Sequence, residues 1–139
     1  MVKVSAEAIN VYGAKIIYEH ISTMQAEVEG VLTSTDIEYI HRMRVASRRL
    51  RSALAIFSDR FQKQDYKQFA KDIRAVTKAL GAARDLDVQL ELLQEIHPQL
   101  SDPKLVPGIN RLQLRLKQQR QRAQLKVIKA MKTLEDDET

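Results

Sequence analysis

The 139-residue sequence contains no cysteine and no tryptophan. Without cysteine there is no disulfide framework and no thiolate metal site, a composition suited to a reducing compartment. Aromatic residues make up only 5% of the chain, which leaves few stacking platforms for single-stranded nucleic acid. No apolar run approaches the length of a transmembrane helix. The N-terminal stretch carries Glu7 and no unbroken apolar core, so it does not read as a signal peptide, and the expected location is the cytoplasm. No P-loop, HExxH or nucleophile motif occurs, and there is no internal repeat, so the chain is not expected to be an enzyme. Three prolines and four glycines leave little to interrupt helices.

What remains is charge and helical periodicity. The net charge of +5 hides a strong asymmetry. Residues 1–40 hold two basic and six acidic side chains, residues 41–133 hold 21 basic and eight acidic ones, and Glu135–Glu138 are all acidic. A basic body with a net +13 fits a polyanionic partner, whether nucleic acid, anionic membrane or polyphosphate, and equally fits a helical protein with a Lys/Arg-rich solvated surface. The 3.6-residue pattern predicts an all-α fold, an antiparallel bundle of four to five helices in one domain over residues 1–134, with 135–139 as a frayed acidic tail.

The first helix is expected from Ser5 to Gly30, with Ile9, Gly13, Ile16, His20, Met24 and Val28 on its inner stripe; His20 reads as a packed histidine. Thr35 and Glu38 have the spacing of a capping box for the second helix, which ends near Ser58–Arg60. Asp65 is placed to cap a third helix, with Phe69, Ile73, Val76 and Leu80 inside. Gly81 is expected to end it, and Asp85 to restart a short helix through Leu86, Leu90, Leu93 and Ile96, with Asp85 and Asp87 at its N-terminus. His97–Pro98 closes that segment, His97 reading as a surface or capping residue. Ser101–Gly108 is expected as the longest loop. The last helix should cover Ile109–Leu134 with Leu112, Leu116, Ala123, Val127, Met131 and Leu134 facing inward.

The second helix carries the most informative stretch, Ile40–Phe57. Met43, Ala46, Leu50, Ala53, Leu54 and Phe57 share one face. His41, Arg44, Arg48 and Arg51 share roughly the opposite one, with Arg42 and Arg49 on a flank. The cationic row extends over about 15 Å at the rise of an α-helix. Lys67, Lys71, Arg74 and Lys78 form a second row, and Arg111, Arg115, Arg122, Lys126 and Lys129 a third. If the apolar faces meet in one core, these rows can converge on a groove, where arginine grips two phosphate oxygens at once and lysine adds point charge. Binding to a nucleic-acid backbone is the alternative, since phosphate contacts need no base reading. Membrane binding is disfavoured because the exposed rows lack large apolar residues. A metal-binding or phosphohistidine role for His41 is a further alternative, although a metal site would need a second histidine nearby, and His20 and His97 lie on other segments. No cofactor is implied.

The run Ile40-His41-Arg42-Met43-Arg44-Val45-Ala46-Ser47-Arg48-Arg49-Leu50-Arg51 resembles the signature of the CHAD domain, the conserved histidine α-helical domain, with isoleucine for valine at the first position. Leu80-Gly81-Ala82-Ala83-Arg84-Asp85-Leu86-Asp87-Val88 resembles a second segment of that family. The resemblance implies a helical fold that binds inorganic polyphosphate through basic residues lining a groove or pore. Carried over by position, His41, Arg44, Arg48 and Arg51 would bind phosphate. Arg49 matches the motif from its flank, and Lys71, Arg74 and Lys78 fall where the family's next helix is basic. Arg115, Arg122 and Lys126 match as a basic helix only. Arg84 matches the second motif, either as a ligand or in a salt bridge with Asp85 or Asp87. Members of the family usually carry two related helical halves, each with its own histidine helix. This chain has one such helix, so it is expected to form half of the arrangement and to pair with a second copy as a homodimer.

Overall fold

The computed structural model describes residues 6–60 and 63–138. They form α1 (Ala6–Gln25), α2 (Val28–Thr33), α3 (Glu38–Ile56), α4 (Lys63–Ile96) and α5 (Val106–Glu138), with single 3-10 turns at Ser58–Arg60, His97–Gln99 and Pro103–Leu105. The described residues contain no strand, so the all-α bundle expected from periodicity is the observed class. The expected helix start at Ser5 lies outside the described residues, as does Thr139.

The helices pack as neighbours in the order α1, α3, α4, α5, with the short α2 resting on α3. Each long helix turns its apolar stripe to one shared core. Met43, Leu50, Ile73, Val76, Leu80, Ala83 and Val127 are fully shielded from water, and Ile17, Met24, Ala53, Leu54, Ala123, Met131 and Leu134 pack around them. Fully burying one such aliphatic side chain contributes roughly 1.5–3 kcal/mol, which makes this cluster the main support of the fold. His20 is half-buried, in line with a packed histidine.

The helices differ greatly in length. At 1.5 Å per residue, the 34 residues of α4 span about 51 Å, whereas the 19 of α3 span about 28 Å. The distal parts of α4 and α5 therefore run past the start of α3 and pack mainly on each other. That is why Val88, Leu92 and Ile96 are exposed, and why Leu112, expected inside, is 45% exposed: no third helix reaches it.

Several local expectations are corrected. The first helix does not run unbroken to Gly30; it turns at Ala26–Glu27 and resumes as α2. Neither proline nor glycine marks that turn. The Glu27 N–H donates to the Met24 carbonyl at 3.1 Å, a tightened turn. The Glu27 carboxylate then accepts from Arg42 Nε at 3.1 Å, tying the bend to α3. Thr35 does not cap α3. Asp36 does that work, its Oδ1 accepting from the Glu38 N–H at 3.0 Å while its own N–H donates to Ser34 Oγ at 3.0 Å. Asp65 lies inside the first turn of α4, which begins at Lys63, rather than at its cap.

Gly81 does not end a helix, and α4 runs straight through it. No described glycine has a positive φ. A glycine inside a helix costs about 1 kcal/mol relative to alanine, too little to break one packed on both sides. Asp85 and Asp87 are consequently interior residues of α4, not N-terminal ones. The expected loop Ser101–Gly108 shrinks because Pro103 and Pro107 sit in first turns, where a proline lacks only an N–H that would be unpaired anyway. At the other end α5 does not stop at Leu134; its helix continues to Glu138.

Candidate anion-binding face

The register between α3 and α4 is set by a pair of buried hydroxyls. Ser47 is fully shielded and donates to the Arg44 carbonyl at 2.8 Å, while Thr77 Oγ1 donates to Ser47 Oγ at 3.0 Å. Small residues at both positions let the two helices approach closely. One turn further on, Arg44 lies across α4 at Gly81, where an added Cβ would stand 3.6 Å from Arg44 Nε. The helices are antiparallel, so the next turn places His41 level with Arg84, and the opposite end of α3 brings Arg51 beside Arg74.

Along this seam His41 and Arg44 are half-buried, as is Arg84. His41 Nδ1, Arg44 Nε and Arg84 Nη1 are buried without a hydrogen-bond partner. Buried polar nitrogens of this kind are costly to leave unpaired. Towards the other end Arg48, Arg51 and Arg74 line an open hollow of about 380 Å³ together with Tyr66 and Ala70. Six of the expected binding residues therefore lie along this seam, termed the trough: His41, Arg44, Arg48 and Arg51 from α3, Arg74 and Arg84 from α4; of these, Arg48, Arg51 and Arg74 line its open hollow.

The other expected residues are distributed differently. Lys78, Lys126 and Lys129 line a separate groove of about 440 Å³ between α4 and α5, together with the buried Asp72 and with Ala75, Ala79, Ala82, Ala130 and Thr133. On the helical wheel Arg74 and Lys78 are adjacent, so a single ridge of α4 separates this groove from the trough. Arg49 points away from both; it lines the cavity of about 700 Å³ between α1 and α3 with Tyr12, Ile16, His20 and Phe57, and Arg48 reaches the edge of that cavity as well. Lys71, Arg115 and Arg122 are exposed and line none of these hollows.

Charge pairing separates the arginines further. Arg42, absent from the trough, is consumed internally. Its Nε donates to Glu27, and its guanidinium stacks 4.7 Å from the centre of the Tyr39 ring. The hydrogen bond to Glu27, above all, raises its pKa beyond the ordinary arginine value. Arg60 pairs loosely with Asp59, and Arg120 pairs with Asp87 at 2.7 Å. Among the described residues no ion pair involves a side chain of the trough. Arg84 in particular pairs with neither Asp85 nor Asp87, and Asp87 pairs through Oδ1 with Arg120 of α5.

Two contributors escaped the sequence reading. Gly81 looked like a helix terminator, and only the close approach of Arg44 shows its use. Arg120 lies outside the basic row of α5. Its signal was present all the same: it interrupts the apolar stripe Leu116, Ala123, Val127, just as Asp87 interrupts Leu80, Ala83, Leu90. Two opposite charges set into two apolar stripes are a recognisable buried pair.

Fold and face together define an all-helical protein of the kind that presents unpaired cations along a helix seam. A scan against protein-family models matches the CHAD domain over residues 15–137, nearly the whole chain, and the chain belongs to that family. Comparisons with curated proteins and with solved structures return no match. No described helix is long and apolar enough to cross a membrane, and no described group of three or more histidine and carboxylate side chains is arranged to hold a metal ion.

Proposed function

We propose that the chain is a non-catalytic binding module for inorganic polyphosphate, with the α3–α4 trough as its principal site. The observation that supports this reading most is the absence of internal counter-ions along the trough: six cationic or ionisable side chains on two helices, three of them with buried unpartnered nitrogens, and no described ion pair. An extended chain of phosphates matches such a row better than a single compact anion. His41 at the head of the row adds a ring nitrogen, Nδ1, that has no partner within the protein. The lysines of the α4–α5 groove extend the positive field over the ridge of Arg74 and Lys78, and the CHAD membership agrees with a phosphate polymer as ligand.

Two copies are proposed to pair. The exposed Val88, Leu92 and Ile96 on the overhanging half of α4, with Leu112 of α5, are apolar surface that a second chain would cover. A solution mass of one chain at micromolar concentration refutes the pairing.

The deciding experiment is a competition at equal phosphate concentration among polyphosphate, duplex DNA and RNA. Polyphosphate should bind tightest and be recovered with unchanged chain length. Preference for either nucleic acid overturns the ligand assignment, and release of phosphate or labelling of His41 by a phosphodonor overturns the non-catalytic one.

A further inference from the structure

Asp87 has two arginines within reach and holds one of them. On α4 it follows Arg84 by three residues, the spacing at which side chains on a helix meet. Its Oδ1 nevertheless accepts from Arg120 Nε of α5 at 2.7 Å, while Oδ2 is buried without a partner. Arg120 is itself held in place: Nη1 donates to Gln124 Oε1 at 2.9 Å, and Gln124 Nε2 donates to the Val31 carbonyl at 2.9 Å. A continuous chain of hydrogen bonds therefore ties α2, α5 and α4 together. The Asp87 side chain is 6% exposed and that of Arg120 is 19% exposed, so solvent screens their attraction little.

We propose that Arg120 is a positioning residue for the anion trough: by taking up Asp87 it keeps Arg84 free of an internal counter-ion and available to the ligand. A buried carboxylate stripped of its partner is strongly destabilising and draws in the nearest mobile cation. That cation is Arg84, one turn away, once Arg120 no longer orients the carboxylate towards α5. An Arg84–Asp87 pair would cancel one charge of the trough and draw the guanidinium out of the seam. Arg120 thus matters to binding only while Asp87 carries its charge, although Arg120 itself never touches the ligand. The ligand in this inference rests on the polyphosphate reading; the choice of partner by Asp87 does not.

The test uses the full chain and polyphosphate of one defined length. Arg84→Ala should weaken binding roughly tenfold, the contribution of one charged hydrogen bond. Arg120→Met should weaken it by a similar factor. The double variant Asp87→Asn with Arg120→Met should return to within about twofold of the parent, as expected once the two sites no longer interact. A double variant that binds as weakly as Arg120→Met overturns the proposal, because Arg120 then acts through its own charge or through the fold. If Arg120→Met alone does not fold, Arg84→Ala is added to the double variant. An unchanged tenfold loss supports the proposal and a vanished one overturns it. A crystal structure of Arg120→Met supplies a readout that needs no ligand: Arg84 within ion-pair distance of Asp87 is expected, and an Arg84 still unpaired overturns the inference. Failure of the parent to bind polyphosphate would remove the proposed ligand while leaving this structural result intact.

Discussion

Replacing Gly81 by alanine separates stability from binding. The glycine lies in the interior of α4 with an ordinary helical backbone, so it contributes no special conformation. Alanine there should gain about 0.5–1 kcal/mol from reduced backbone entropy of the unfolded chain and better helix propensity. The added Cβ meets only Arg44 Nε, at 3.6 Å, an ordinary van der Waals distance, so no clash offsets the gain. A chain of this size should melt roughly 2–5 °C higher, measured by circular dichroism or calorimetry, with a parallel rise in the urea midpoint. Gly81→Leu should behave differently, since its further carbons need the space that Arg44 occupies. That variant should keep its helix content but lose polyphosphate affinity as Arg44 is displaced from the seam. The other packed glycines give the opposite sign to alanine. A Cβ at Gly13 would stand 2.7 Å from the Phe57 ring, and one at Gly30 would overlap the Tyr39 ring, so each should destabilise by about 1–3 kcal/mol through overpacking. A melting point for Gly81→Ala at or below that of the parent refutes the account of this position.

Arg44→Ala with Arg48→Ala should leave the melting transition near the parent's, because neither side chain has an internal ion pair, and should weaken polyphosphate binding roughly ten- to a hundredfold by isothermal titration. Parent affinity should fall steeply with salt, and each trough arginine removed should reduce the slope of log K against log salt by roughly 0.7–0.9, read from titrations at several ionic strengths. Leu50→Ala, at a fully shielded position, should cost about 2–5 kcal/mol in urea unfolding. Ser47→Ala should cost about 0.5–1.5 kcal/mol in the same assay, through loss of the hydroxyl bridge to Thr77.

The legible parts of this chain are those that local periodicity controls. The apolar faces of α3 and of the first half of α4, and the cationic row from His41 to Arg51, follow from spacing alone. What escaped depends on tertiary partners. Gly81 looked like a terminator because propensity is a weak prior, and packing on both sides of α4 outweighs it. Pro103 and Pro107 looked like loop because their tolerance in a first turn depends on where the helix begins. Leu112 carries the right period for burial, but the length of α3 decides whether anything covers it. Asp85 and Asp87 were read as helix-terminal because of the misplaced break, and this concealed the Asp87–Arg120 pair.

The same reasoning explains why one edge of the bundle collects charge. Two antiparallel helices whose edge residues recur at three- and four-residue steps meet in matched pairs. The α3 series His41, Arg44, Ser47, Arg51 is therefore level with the α4 series Arg84, Gly81, Thr77, Arg74. In the middle, a glycine and two hydroxyl residues let the helices close together with Arg44 folded into the seam. At one end Arg51 stands level with Arg74, an arrangement that repels itself unless an external anion lies between; at the other, His41 stands level with Arg84. Close packing at the centre and unpaired arginines towards both ends are one consequence of this register. Shifting either helix by a single residue would part Thr77 from Ser47 and bury an arginine against the core or turn it to solvent.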